Sequence, residues 1–125
     1  MRKLLLSLVF VALILMSCSN MNSKLEKSVS NEIGKSPFKN ELTEFNDKTY
    51  VIIWDSVNIS SHSKIKNTVD KTFGVLPYKH KESAHETSSN EYWLYENTLY
   101  QIELNYYYKN ANPDKMMVRV LVTTK

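Results

Sequence analysis

The chain has 125 residues, of which 42% are hydrophobic and 23% are charged. This length leaves room for one modest domain, and the composition excludes both a chain disordered throughout and a protein with many membrane spans. Two of the 16 basic residues are Arg2 and Lys3, so the remaining 14 nearly balance the 13 acidic residues. Acids and bases alternate along the chain, which argues against nucleic-acid binding, since that function uses a clustered basic face.

The first 20 residues, MRKLLLSLVFVALILMSCSN, combine a basic start with an apolar run from Leu4 to Met16. Such a charged flank and short apolar core are typical of a secretory signal. A helix over this run would be about 20 Å long, shorter than the roughly 30 Å hydrocarbon core of a bilayer. We therefore predict a cleaved signal peptide at residues 1–17 rather than a permanent membrane span.

The apolar run ends in Leu15-Met16-Ser17-Cys18, and Cys18 is the only cysteine of the chain. This tetrapeptide resembles the lipobox of bacterial lipoproteins, in which a branched apolar residue, a tolerant position and a small residue precede the cysteine. The resemblance implies that the Cys18 sulfur receives a diacylglyceryl group and that a peptidase cuts between Ser17 and Cys18. Each buried methylene of an acyl chain contributes about 0.8 kcal/mol, so two or three chains would hold the protein firmly in the cell envelope. Ser19 stands where an Asp would suggest inner-membrane retention in enteric-type bacteria, which favours the outer membrane over the inner one if the organism has two membranes.

Residues 18–46 form a polar stretch rich in Ser, Asn, Lys and Glu, and we predict that they act as a tether. Leu25, Val29 and Ile33 recur at a spacing of four residues, which allows a short amphipathic helix closed by Gly34. The alternative is a flexible stalk, whose length would give it a reach of about 30 Å.

Residues 47–125 are predicted to form a small α+β domain that begins with one strand and one helix. The strand, Thr49–Asp55, is rich in β-branched and aromatic residues. The helix runs from about Ser61 to Phe73, because apolar residues recur along one side of it. Gly74 suits the left-handed position at the end of this helix.

Three further strands complete the predicted domain as an antiparallel meander, at residues 92–96, 100–108 and 116–123. The second of them shows the clearest alternation of apolar and polar residues. The helix would cover one face of this sheet in a two-layer arrangement. The predicted core combines part of the first strand with apolar residues of the helix and of two later strands, namely Ile65, Val69, Phe73, Ile102, Leu104, Val118 and Val120.

The polar segment from Lys79 to Asn90 is predicted as an exposed loop or the frayed start of a strand. It contains the best metal-ligand candidates, His80, Glu82, His85 and Glu86, because imidazole and carboxylate groups are suitable zinc ligands. Their spacing matches no closed metal motif, and the two glycines of the chain form neither a phosphate-binding loop nor a nucleophile elbow. We therefore predict that the protein is not an enzyme and needs no cofactor, with a metal-dependent enzyme as an alternative.

Six aromatic residues crowd the two strands between Trp93 and Tyr108. Cross-strand pairs and packing against the helix explain most of them. Alternation turns Tyr107 to the polar face beside Asn105. We predict that Trp93 and Tyr107 are surface aromatics that bind a partner.

Three features of the chain together resemble the SmpA/OmlA-type small outer-membrane assembly lipoproteins and related inhibitor-like domains. They are a helix ending with a glycine and a proline at residues 73–77, a strand with a tryptophan at residues 92–95, and a further strand at residues 99–108. The resemblance implies binding to another envelope protein rather than catalysis. We therefore expect a lipid-anchored protein with a protein partner. The alternative is an inhibitor or immunity-type lipoprotein that inserts the loop at residues 79–90 into a foreign hydrolase.

Overall fold

A computed structural model describes residues 20–43 and 46–125, which form two α-helices and six strands. The predicted signal peptide, its cleavage site and Cys18 lie outside these residues. In chain order the elements are α1 (Met21–Ile33), β1 (Lys39–Thr43), β2 (Asn46–Asn58), a short 3₁₀ turn (Ile59–Ser61), α2 (His62–Phe73), β3 (Lys79–Ala84), β4 (Ser88–Glu96), β5 (Tyr100–Lys109) and β6 (Lys115–Thr124). Within the described residues, no helix has the length and apolar composition needed to cross a membrane.

The predicted arrangement of one strand, one helix and a three-stranded meander is wrong. The six strands form a single antiparallel sheet in the order β1-β2-β6-β5-β4-β3. Both helices pack on the same face of this sheet. The additional elements come from two polar stretches: α1 and β1 from the predicted tether, and β3 from the predicted loop.

The segment predicted as a tether is folded into the domain. Leu25 and Val29 of α1 are fully buried in the same core as the sheet residues, and Ile33 packs against that core. Gly34 ends the helix in the left-handed conformation at φ 66°, which glycine adopts without the steric cost of a Cβ. The helical alternative is therefore confirmed, and the folded unit begins at Met21 rather than at residue 47.

The predictions of the second helix and of the core residues around it are confirmed. The helix expected from about Ser61 to Phe73 is α2, and Gly74 follows it in the left-handed region at φ 86°. All seven residues of the predicted core are buried, with at most 6% of their surface exposed. Their apolar side chains drive the packing of α2 on the sheet.

The sheet has one covered face and one open face. On the covered face, which carries both helices, the large aromatic side chains are buried with their polar atoms paired. Trp54 Nε1 donates to Ser30 Oγ of α1 at 3.1 Å, and the Tyr95 hydroxyl donates to Asp70 Oδ1 of α2 at 2.5 Å. These bonds fix the position of each helix, because an unpaired polar atom at such a depth would be costly.

Candidate functional site

Two histidines and two glutamates meet on the covered face, beside the start of α2. Glu91 of β4 lies at their centre: its Oε2 is 2.9 Å from His62 Nε2, and its Oε1 is 3.0 Å from His80 Nε2. Glu82 Oε1 lies 3.8 Å from the same nitrogen of His80. These four residues are referred to below as the His–Glu cluster.

The pairing of β3 with β4 places three members of the cluster together. Glu82 lies directly opposite Glu91 in the hairpin, and His80, two positions before Glu82, projects from the same face of its strand. His62 reaches the cluster from the first residue of α2, where its carbonyl oxygen accepts a hydrogen bond from the Tyr106 hydroxyl at 2.6 Å. Two independent elements therefore hold the two imidazoles on one carboxylate.

Trp93 supports both imidazoles from the interior of the domain. The His80 ring stacks on its indole with a centroid distance of 4.6 Å and an angle of 8°, and the His62 ring meets the indole edge-on at 5.5 Å. Trp93 is 7% exposed, so the prediction that it is a surface aromatic is wrong. The residue shares its face with Tyr95 and is covered by α2, a placement that depends on helix packing and not on strand alternation alone.

Tyr108 closes the cluster on the β5 side. Its hydroxyl donates to Glu91 Oε2 at 3.3 Å. Burial raises the pKa of Tyr108, and the negative charge of Glu91 raises it further, so the phenol keeps its proton and remains a donor at neutral pH. Glu91 is thus surrounded by three side chains that can donate to a carboxylate.

The cluster has the donor atoms of a divalent-metal site. Single ligand atoms of His80, Glu82 and Glu91 all lie within 4.8 Å of one another. Tetrahedral coordination with bonds of about 2.0–2.1 Å places neighbouring ligand atoms roughly 3.4 Å apart, and His80 Nε2 lies 3.0 Å from Glu91 Oε1 and 3.8 Å from Glu82 Oε1. The other two predicted ligands, His85 and Glu86, lie in the turn between β3 and β4 and are not members of this group.

Glu91 and His62 were missed at the level of sequence. Glu91 is 11 residues from His80 and 29 residues from His62, so no local spacing connects the three. The only signal in the sequence was that an acidic residue directly precedes the predicted strand at residues 92–96, shortly after a histidine-bearing polar stretch. Recognising it would have required the β3–β4 register.

The open face of the sheet forms a second candidate site. Alternation along four of its strands turns apolar and aromatic side chains to this face, and neither helix covers them. Tyr107 is half-buried there and lines a pocket of about 220 Å³ with Met117. The complete set of apolar residues on this face is Val51, Ile53, Tyr92, Leu94, Tyr107, Met117 and Leu121.

A polar group lies at the centre of the open face. Arg119 Nη2 is 3.7 Å from Glu103 Oε2, and Asn105, opposite Arg119 in the sheet, is only 6% exposed. The Arg119 Nε atom is buried without a hydrogen-bond partner. An apolar surface with a fixed charged pair at its centre is the composition of a recognition surface, because the apolar part supplies contact area and the charges fix orientation.

Searches of protein-family models, of curated proteins and of solved structures found nothing that matches this chain. The arrangement of the His–Glu cluster and of the open face therefore carries the functional interpretation.

Proposed function

We propose that this protein is a bacterial envelope lipoprotein, anchored through acylated Cys18, whose open sheet face binds another envelope protein. The anchor is supported by the basic start, the short apolar run and the lipobox-like tetrapeptide ending in Cys18. The observation that carries the binding role is the set of seven apolar and aromatic side chains on a sheet face that neither of the two described helices covers. An envelope protein as partner is also what the resemblance to the SmpA/OmlA-type lipoproteins implies.

The open face is suited to a protein partner for two reasons. Its apolar side chains lie on adjacent strands, and all except the buried Val51 are only partly shielded, so a second protein would remove their remaining surface from water. The partner would also meet the Arg119 side chain, which is 39% exposed and lies 3.7 Å from Glu103 Oε2 through Nη2. A carboxylate of the partner would accept a hydrogen bond from the terminal N–H groups of this guanidinium.

Acylation of Cys18 can be tested in a bacterial host. The full chain, a Cys18→Ser variant and a matched Ser19→Ala control are expressed with an alkyne-tagged fatty acid in the medium. We expect the wild-type chain and the Ser19→Ala control to incorporate the label, and the Cys18→Ser variant to lose both the label and the cleavage after Ser17. A free thiol at Cys18 in the intact mass of the mature protein would contradict the anchor.

Binding through the open face can be tested by site-specific photo-crosslinking in cells. A photoreactive amino acid replaces Tyr107 or Leu121 on the open face, and Lys64 or Lys71 on the exposed side of α2 as controls. We expect one defined adduct from the two open-face positions and none from the α2 positions. Adducts that form only from α2 would contradict the proposal. An adduct with a foreign hydrolase, formed from positions in β3, would instead favour the inhibitor or immunity-type alternative, since all six residues of β3 are exposed.

A second candidate function is divalent-metal binding at the His–Glu cluster. The convergence of His80, Glu82 and Glu91 favours it, and the stacked indole of Trp93 and the hydroxyl of Tyr108 hold two of these ligands in place, as supporting groups do in metal sites. His62 lies within reach of the same carboxylate as a further nitrogen donor. No catalytic role for the metal follows from this arrangement.

Metal binding can be measured by calorimetric titration of the protein with Zn²⁺. We expect saturable binding of one ion, weakened at least about tenfold by Glu91→Gln, because a ligand is then lost. His85→Ala is the matched control, since it removes a histidine of the same hairpin that lies outside the cluster. Equal affinities in these two variants, or no heat release by the wild-type protein, would exclude this function.

A further inference from the structure

The domain begins almost immediately after the residue that is proposed to carry the lipid. α1 starts at Met21, and the carbonyl of Asn20 already accepts hydrogen bonds from the N–H groups of Ser23 and Lys24 at 3.1 and 3.2 Å. Three residues of chain, from Cys18 to Met21, span at most about 11 Å. A lipid on Cys18 would therefore hold the start of α1 close to the headgroups, instead of allowing the roughly 30 Å reach of a flexible stalk.

Hydrogen bonds between α1 and the sheet identify which end of the domain this is. Asn40 Nδ2 of β1 donates to Glu26 Oε2 at 2.6 Å, and Trp54 Nε1 of β2 donates to Ser30 Oγ. α1 therefore runs in the same direction as β2, and its first residue, Met21, lies at the end of the sheet where β2 begins.

The strand register shows which other turns and segments lie at the end of the sheet where β2 begins. Leu42 lies opposite Tyr50 near the start of β2. Leu99, in the β4–β5 turn, accepts a hydrogen bond from the N–H of the last residue, Lys125. The chain leaves α2 at the same end, because Phe73 packs edge-on against Tyr95 at 5.9 Å, and Tyr95 is aligned with Tyr50 across the sheet. The segment from residue 74 to residue 78 is thus at this end as well.

Five of the seven large hydrophobic residues that are exposed in the described part of the chain belong to this end. They are Leu42 (44% exposed), Val75 (40%), Leu76 (75%), Tyr78 (61%) and Leu99 (62%), and the surface they form is referred to as the anchor end. The other two, Phe38 and Ile59, lie elsewhere: Phe38 bonds to the Ile53 carbonyl, and Ile59 bonds to the Asp114 carbonyl beyond the far end of β2.

We propose that the anchor end lies against the lipid bilayer and inserts these five side chains into its interfacial region. This inference rests on the proposed acylation of Cys18. The residues extend from the edge strand β1 to the segment before the opposite edge strand β3, a width of about 24 Å for five strand spacings. Such a broad rim suits a flat apolar surface better than a ligand in a groove. Leucine and tyrosine side chains are also well suited to the membrane interface, where a tyrosine keeps its hydroxyl in the headgroup layer.

With the anchor end on the membrane, the domain is oriented and not merely tethered. The strands then extend away from the bilayer surface. The open face is roughly perpendicular to the bilayer plane, where a neighbouring membrane protein can reach it. Within the His–Glu cluster, His80 lies two residues beyond Tyr78 of the anchor end, and Glu82 and Glu91 lie farther along β3 and β4, away from the bilayer.

The inference can be tested with the lipidated full-length protein in phosphatidylcholine vesicles. The thiol of Cys18 is consumed by the lipid, so a newly introduced cysteine is a unique site for a nitroxide spin label. Leu76→Cys and Leu99→Cys report on the anchor end, and Phe38→Cys and Ile59→Cys are matched controls, because all four positions are exposed hydrophobic residues. Electron paramagnetic resonance then compares relaxation of each label by oxygen, which enters the bilayer, and by a water-soluble nickel complex.

We expect the nickel complex to relax labels at positions 76 and 99 several-fold less than labels at positions 38 and 59, and oxygen to relax them more. Equal access of the nickel complex to all four labels, with Cys18 acylated and the protein still bound to the vesicles, would overturn the inference and leave the anchor intact. Absence of lipid on Cys18 by intact mass would remove the proposed anchor itself, and the inference would fall with it.

Discussion

On β6, Val118, Val120 and Val122 point to the helices and are at most 2% exposed, whereas Met117 and Leu121 point to the other side and stay half-buried. Both sets lie on one strand and are apolar, so the difference between them is set by what covers each face. α1 and α2 cover the central part of the first face. The apolar side chains of the second face have neighbours within the sheet but no second layer among the described residues, and this contrast supports a partner for the open face.

The sharpest test of the contrast compares leucines associated with the two faces. Leu25 of α1 is fully buried against the covered face, so Leu25→Ala should lower the free energy of unfolding by about 3 kcal/mol through lost contacts and a cavity. Leu121→Ala on the open face should cost less than about 1 kcal/mol, because water already reaches that side chain. Urea unfolding followed by tryptophan fluorescence measures both. Similar costs for the two variants would mean that α1 is not an integral part of the core.

The Leu25 result also bears on why the sequence left α1 undecided. Its apolar stripe consists of Leu25, Val29 and Ile33, which is too narrow to distinguish a packed helix from a polar stalk. What stabilises the helix is the surface of α2 and β2 that receives it; Trp54 of β2 lies 24 positions after its partner Ser30, and the α2 residues lie later still. α2 was predictable because its own stripe and Gly74 lie within one short segment.

The two edge strands were harder to predict for a related reason. β1 reads KNELT and β3 reads KHKESA, and neither contains the apolar alternation that identifies a strand. Polar edge strands are common because they discourage pairing with other chains, but their polarity makes them resemble loops. Glu91 meets His80 only because β3 pairs with β4. Since β3 was not predicted as a strand, the His–Glu cluster could not be predicted either. Trp93 was misplaced because its burial depends on α2, not on its own strand.

Breaking an ion pair should lower the free energy of unfolding more on the covered face than on the open face, as truncating a leucine should. Asp70 accepts from the Tyr95 hydroxyl on the covered face and pairs with Lys66 at 2.6 Å. Asp70→Ala should cost about 2 kcal/mol, because it leaves a buried hydroxyl without its charged acceptor. Glu103→Ala, which breaks the 3.7 Å contact with Arg119 on the open face, should cost less than about 1 kcal/mol. Thermal unfolding at neutral pH measures both, and an equal or reversed order would contradict the assignment of the faces.

Alkaline pH should lower the stability of the protein, because the buried tyrosines of the covered face keep their protons only in the folded state. Burial raises the pKa of Tyr106, and nearby phenol and carboxylate groups add to the effect. The folded protein therefore keeps this proton while the unfolded chain releases it above pH of about 10. The stability from the neutral phenol is fully present below that pH and is lost as the pH rises further, by about 1.4 kcal/mol at pH 11.

Tyr106→Phe separates this contribution from general alkaline damage. The variant should lose less stability than the wild-type protein between pH 9 and about pH 11, although it also lacks the hydrogen bond from the hydroxyl to the His62 carbonyl. Urea midpoints at several pH values, with tyrosine ionisation followed by ultraviolet absorbance, give the comparison. Parallel pH profiles for the two proteins would show that this phenol ionises alike in the folded and unfolded states.

The smallest expected effect concerns the bond that aligns α1 with the sheet. Ser30 Oγ accepts the Trp54 Nε1 proton on the covered face, and Ser30→Ala would leave that indole donor buried and unpaired. Ser23→Ala, at an exposed position of the same helix, gains the same helix propensity without touching the sheet. The difference between the two variants therefore isolates the hydrogen bond, and we expect it to be about 1 kcal/mol in urea unfolding. If the two variants unfold at the same urea concentration, the bond contributes nothing, and α1 is aligned on the sheet by its apolar stripe alone.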